Sequence, residues 1–203
     1  MTCDNNNNIY VSGNNDNIII AKPTSYSTTL YTKSGGISSN GDGCYYDFSN
    51  NHLWVTSSVG TVGVYSFSAG VITGVVYSNT NYNISSYPVA NLITSNVGTN
   101  AVTNARFMYC KKDKQNNLVV TDYGNNCIYR ISPGSDNKYG MFPGSVIPTF
   151  KLLVANGNSN AYFNVTTNTL SAPHDIVFIG NDAYFSTRGT HVICKIQNYA
   201  LIP

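Results

Sequence analysis

This chain has few residues with which to do acid–base, metal or nucleophilic chemistry. Its nine acidic residues are all Asp, with no Glu, and it has three His, five Cys and eleven Lys and Arg. One pair suggests hydrolysis: His174 beside Asp175, a general base next to a carboxylate that could orient it. Asp122 and Asn125 are the other polar residues expected near such a site. Cys44 and His174, with Cys3, are the candidate metal ligands, since zinc takes Cys and His and leaves one position open for catalysis. They do not form a locally spaced ligand motif, so the expectation is no metal and no cofactor. A third group could contact nucleic acid or an acidic partner. It comprises Lys111, Lys112 and Lys114, with Arg106 and Arg130, and with Tyr123 (and Tyr82 and Tyr87) as surfaces on which bases could stack. There is no Gly-x-Ser-x-Gly nucleophile turn and no Gly-rich phosphate loop with Lys.

Composition narrows these choices. The chain has 203 residues, of which 10% are charged and 42% hydrophobic. Asn, Ser and Thr make up about a third of it. Glu, Gln, Lys, Leu and Ala, the residues that hold helices, are scarce, which argues against a bundle or coiled coil. Sixteen Tyr and eight Phe suit half-buried strands and argue against disorder. The net charge of +2 makes strong sequence-independent nucleic-acid binding improbable, because that affinity scales with neutralised phosphates. The N-terminal residues Met1-Thr-Cys-Asp-Asn5 show no basic-then-apolar leader, and no run of about 18 apolar residues occurs. The expectation is a cytoplasmic or virion-associated protein with free thiols.

The elements that must position these residues come from a repeat. An apolar strand, a Gly- or Asn-rich turn and a second apolar strand recur at Ile9–Ile20, Leu53–Tyr65, Leu118–Ile131 and Ala183–Ile196. The turn residues supply conformations that β-branched residues resist. A further strand precedes three copies, at Cys44–Phe48, Phe107–Lys111 and Asp175–Ile179. Another follows three copies, at Thr28–Thr32, Val71–Tyr77 and Val146–Val154. The unit is therefore a four-stranded antiparallel meander. Repeated meanders, each covering its neighbour, predict an all-β fold, a small β-propeller of about four blades. Five blades or a β-sandwich are the alternatives. The predicted blades are 1–36, 37–80, 98–155 and 167–203. Insertions are expected at 78–97 and 156–166, with a fifth blade around 89–94 as one option. Gly35-Gly36 and Gly41-Asp42-Gly43 read as turns. Aligned by repeat, Cys44, Arg106 and His174 fall near one place at the channel mouth.

Two copies resemble NHL repeats. The closer is Asn117-Leu-Val-Val-Thr-Asp122-Tyr-Gly-Asn125-Asn-Cys-Ile128, and Ser171-Ala-Pro173-His-Asp-Ile-Val-Phe178 is similar to the Pro-led inner strand of that family. The other copies depart from it, with Ser57 and Thr187 where Asp122 stands. The resemblance implies a propeller but no activity, since such propellers bind protein, RNA or small molecules, and related ones are enzymes. Asp122, just before Tyr-Gly-Asn, is expected to bond turn N–H groups. Asp47, Asp122 and Asp175 do not align between copies, which counts against an enzyme. The favoured expectation is a non-enzymatic module that binds protein or glycan, such as an assembly or virion component. Self-association through incomplete terminal blades is a further expectation; a nucleic-acid-binding propeller and a lactonase-like hydrolase are the alternatives.

Overall fold

The computed structural model of the chain describes residues 1–12, 17–21, 28–32, 41–57, 61–68, 71–77, 106–135, 139, 149–156, 161–165 and 170–203. Four sheets follow one another along the chain. Sheet 1 is β1 (Thr2–Cys3), β2 (Ile9–Ser12), β3 (Asn17–Ala21) and β4 (Thr28–Thr32). Sheet 2 is β5 (Gly41–Asp47), β6 (His52–Ser57), β7 (Thr61–Ser68) and β8 (Val71–Tyr77). Sheet 3 is β9 (Phe107–Lys112), β10 (Leu118–Asp122), β11 (Cys127–Ser132), β12 (Thr149–Asn156) and β13 (Phe163–Val165). Sheet 4 is β14 (Pro173–Ile179), β15 (Asp182–Thr187) and β16 (Val192–Ile196), followed by a 3-10 turn at Tyr199–Leu201. All neighbours are antiparallel meanders except β13, which lies parallel to β12. That strand falls within the expected insertion at 156–166. The stretch at 78–97, with Tyr82 and Tyr87, Gly35-Gly36, and the option of a fifth blade at 89–94 lie outside the described residues.

The registers make the repeat exact enough to compare sheets position by position. Val55 pairs with Cys44, Val120 with Cys110, and Phe185 with Ile176. Cys44 therefore corresponds to Cys110 and Ile176, not to Arg106 and His174. Bulges between Gly41 and Gly43 and between Pro173 and Ile176 offset the inner strands from the spacing that the sequence repeat implies. Gly41-Asp42-Gly43 is part of strand β5 rather than a turn. A Cβ at Gly43 would sit 2.2 Å from the Met108 carbonyl oxygen, so this glycine allows sheet 3 to approach closely.

Each second strand alternates its two faces, as a strand buried between two neighbours must. On the back face, toward the preceding sheet, stand Leu53 and Val55, Leu118 and Val120, and Ala183 and Phe185, all buried. On the forward face of sheet 2, Trp54, Val62 and Val64 pack into a cluster with Phe107, Cys110, Leu118 and Val120 of sheet 3. Forward of sheet 3, Val119, Ile128 and Leu153 pack with Ile176, Ala183, Phe185 and Ile196 of sheet 4. Burying one such side chain contributes about 1.5–3 kcal/mol. A hydroxyl reinforces the junctions between sheets 2 and 3 and between sheets 3 and 4. Thr56 Oγ1 donates to the Met108 carbonyl (3.0 Å) of sheet 3, and Thr121 Oγ1 donates to the His174 carbonyl (2.8 Å) of sheet 4.

Candidate functional site

The end of the arc where inner strands turn into second strands is built on three aspartates: Asp4, Asp47 and Asp113. Each is followed by Asn at the third and fourth positions: Asn7-Asn8, Asn50-Asn51 and Asn116-Asn117. One Asn in each turn has positive φ: Asn7 (59°), Asn51 (54°) and Asn116 (63°). Asn tolerates that region better than most side chains. The carboxylates accept the turn's own donors. Asp4 takes the N–H of Asn6 and Asn8, the Asn8 amide and the Tyr10 hydroxyl. Asp113 takes the N–H of Gln115 and Asn117, the Asn117 amide and the Tyr199 hydroxyl at 2.7 Å. Asp47 takes the Ser49 N–H, the Asn50 amide and the Lys112 ammonium at 2.6 Å. The sequence comparison set Asp47 against Asp122 and Asp175 and so missed this series. The signal was present as Asp followed by two Asn at fixed spacing.

Electrostatics follow from these bonds. Burial raises the Asp4 and Asp47 pKa values, but their donors outweigh it and hold both carboxyls below the ordinary value of 3.8. Burial, and then the carboxylate each one bonds, push the Tyr10 and Tyr199 hydroxyls up. Lys112 is almost enclosed between sheets 2 and 3. Besides Asp47, its ammonium lies 5.3 Å from the Trp54 ring centre and 5.4 Å from that of Tyr139, a cation–π arrangement. Burial, with Lys112 nearby, lowers the His52 pKa despite Asp47.

The basic residues expected to form one patch are divided. Lys112 and Arg130 are turned into the protein. Arg130 holds the Ile202 and Pro203 carbonyls, and Lys151 also bonds Pro203. Lys111 lies over the Tyr45 ring, and burial pushes the Tyr45 hydroxyl up to about 12. Lys114 is exposed and donates to the Gly180 carbonyl of sheet 4. Arg106 is exposed beside the Asp122 turn, where the Tyr123 N–H bonds its carbonyl.

Asp122 lies at the opposite end. As expected, it accepts turn N–H groups, from Gly124 and Asn125, along with the Asn125 amide, the Arg106 N–H and the Tyr129 hydroxyl. It is wholly buried, and here burial prevails over those donors and raises its pKa. His174 and Asp175 are not joined as a catalytic pair. Asp175 accepts the next residue's N–H, from Ile176, and its own N–H bonds Ser186 Oγ. Among the described residues, no group of three His, Cys or Asp could hold a metal ion. None of the described helices is long and apolar enough to cross a membrane.

What remains open is the forward face of sheet 4. Val177, Tyr184, Ser186 and Ile193, with Asp175, line a shallow apolar groove of about 150 Å³. Ile193 is 79% exposed and Ile179 63%.

Similar architectures exist among solved structures. Virginiamycin B lyase from Staphylococcus aureus superposes with a TM-score of 0.52 at 17% identity, over 92% of this chain and 47% of that one. A Lactobacillus plantarum protein superposes with a TM-score of 0.53 at 12% identity, over 96% of this chain and 53% of that one. This chain's fold is a β-propeller architecture. It spans about half the length of those proteins. No protein-family model and no curated protein sequence matches it.

Proposed function

We propose that the chain is a non-enzymatic interaction module that binds protein through the forward face of sheet 4. The observation that carries this reading is the mismatch between that face and its counterparts. Ile193 occupies the register of Val62 and Ile128, which the next sheet buries, yet it lies 79% exposed. Exposed apolar surface of this kind marks interaction sites. Of the described aspartates, Asp4, Asp47, Asp113, Asp122 and Asp182 already serve turns or ion pairs.

Two measurements test the reading. In dilute solution an apolar fluorescent dye should bind, and Ile193→Asp should remove most of its enhancement without changing the circular dichroism. Dye binding that ignores the substitution would overturn the assignment of the face. Incubation with virginiamycin B, followed by mass spectrometry, should leave that compound unchanged. Its conversion would instead establish a lyase like the similar S. aureus structure.

A further inference from the structure

Among the described residues no sheet covers the forward face of sheet 4, and sheet 1 presents the surface such a sheet would carry. On sheet 4, Tyr184 stands where Trp54 and Val119 stand, Ile193 where Val62 and Ile128 stand, and Ser186 where Thr56 and Thr121 stand. In sheets 2 and 3 that hydroxyl donates to a carbonyl of the next inner strand. The Ser186 hydroxyl has its strand partner, the Asp175 N–H, and its own hydrogen is free to do the same. The back face of sheet 1 supplies the complement. Ile9 and Val11 occupy the registers of Leu53 and Val55, of Leu118 and Val120, and of Ala183 and Phe185, all of which are buried by the preceding sheet. Ile9 is 41% exposed, Val11 is half-buried, and the neighbouring Cys3 is exposed. Each of these faces therefore matches the other half of a junction that the chain already makes between consecutive sheets.

We infer that the protein bound at this face is a second copy of the chain. Sheet 4 of each copy packs its forward face on the back face of sheet 1 of the other. The two arcs of four sheets then close one eight-sheet ring with twofold symmetry, within the size range of propellers. The inference rests on the reading of sheet 4 as a binding face, but it can fail separately.

Light scattering on a sizing column tests it. The wild type should elute at twice the chain mass of 22.0 kDa, and dilution should return it to one copy. Ile193→Asp and Ile9→Asp, each still folded by circular dichroism, should both be monomeric. Mixed together they should form a heterodimer, because one unmodified sheet 4 then meets one unmodified sheet 1. A wild type that stays monomeric at every concentration would overturn the inference. If such a monomer still bound the dye through Ile193, the binding face would stand and only its partner would change. A dimer insensitive to Ile9→Asp, or two variants that fail to restore each other, would point to like faces meeting and would also overturn it. If either variant unfolds, Ile193→Ser and Ile9→Ser give the same test with smaller loss of association.

Discussion

Sheets 3 and 4 share a register, yet one is an interior sheet and the other an edge. In sheet 3 the forward side chains Val119, Thr121 and Ile128 are wholly buried. In sheet 4 their counterparts Tyr184, Ser186 and Ile193 line an open groove. The turns differ in the same sense. Sheet 3 turns on Asp113, whose carboxylate reaches forward to Tyr199 beside sheet 4. Sheet 4 turns on Gly180 at φ 62°, with no carboxylate in the turn. The ion pairs differ too. Lys112–Asp47 lies between sheets with side chains 10% and 3% exposed, whereas Lys195–Asp182 lies on the surface. Identical strand patterns thus acquire different energetic weight from what covers them. The aspartate turns and threonine hydroxyls belong to junctions, and among the described residues none packs as a sheet ahead of sheet 4.

Substituting equivalent positions tests this difference, with the largest expected effect at the buried isoleucine. Ile128→Asp places a charge in a closed apolar layer and should cost more than about 4 kcal/mol, or prevent folding. Ile193→Asp should change the stability of dilute, monomeric protein by no more than about 0.5 kcal/mol. Urea titrations of both variants check this, and comparable losses would erase the distinction between interior and edge.

The ion pairs come next. Lys112→Met leaves Asp47 buried without its cation and should cost about 3 kcal/mol at neutral pH. The Asp47 carboxyl is held below 3.8 because its donors outweigh burial. Its contribution is therefore complete above that value and lost as pH falls through the folded value. Wild type and variant should converge in acid, as thermal melts across pH would show. Lys195→Met, in the exposed pair, should melt like wild type throughout. A pH-independent gap for Lys112→Met would mean that its contacts with Trp54 and Tyr139, not its charge on Asp47, hold the junction.

The hydroxyls give the smallest effect. Thr121→Val removes the bond to the His174 carbonyl and should cost about 1 kcal/mol. Ser186→Ala loses only the exposed bond from the Asp175 N–H, so it should change the dilute monomer by less than about 0.5 kcal/mol while weakening association. Equal losses in the two variants, measured by denaturation at low concentration, would show that these hydroxyls act within their own sheets.

The fold was legible wherever local pattern determines it. All four hairpins were readable, because alternating apolar residues flank Asn- or Gly-rich turns, and so were the inner strands ending in Asp47, Lys112 and Ile179. What the sequence hid depends on residues far apart. Gly43 looks like a turn residue until the Met108 carbonyl, 65 positions later, is found against it. Lys112 reads as part of a solvated basic run, because nothing nearby reveals that it pairs with Asp47. His174 beside Asp175 looks like a base–carboxylate pair in one dimension, whereas in the fold the Asp175 carboxylate accepts the Ile176 N–H. The aspartate-turn series was visible in the sequence but missed, since alignment on the hairpins drew attention to Asp122 rather than to the turn before each hairpin.

The Thr hydroxyls that reach forward from sheets 2 and 3 give the arc a direction. Thr56 and Thr121 each lean on the sheet that follows, so a sheet that peels away strips a polar partner from the one before it. Peeling from sheet 4 orphans the Thr121 contact and opens the layer around Ile128. Peeling from sheet 1 breaks the bond from the Tyr46 N–H to the Thr2 hydroxyl but leaves the Thr56 and Thr121 contacts intact. Repeat arrays in which each unit touches mainly its neighbours melt by fraying. In this one the fray is expected to travel backward along the chain, from sheet 4 toward sheet 1.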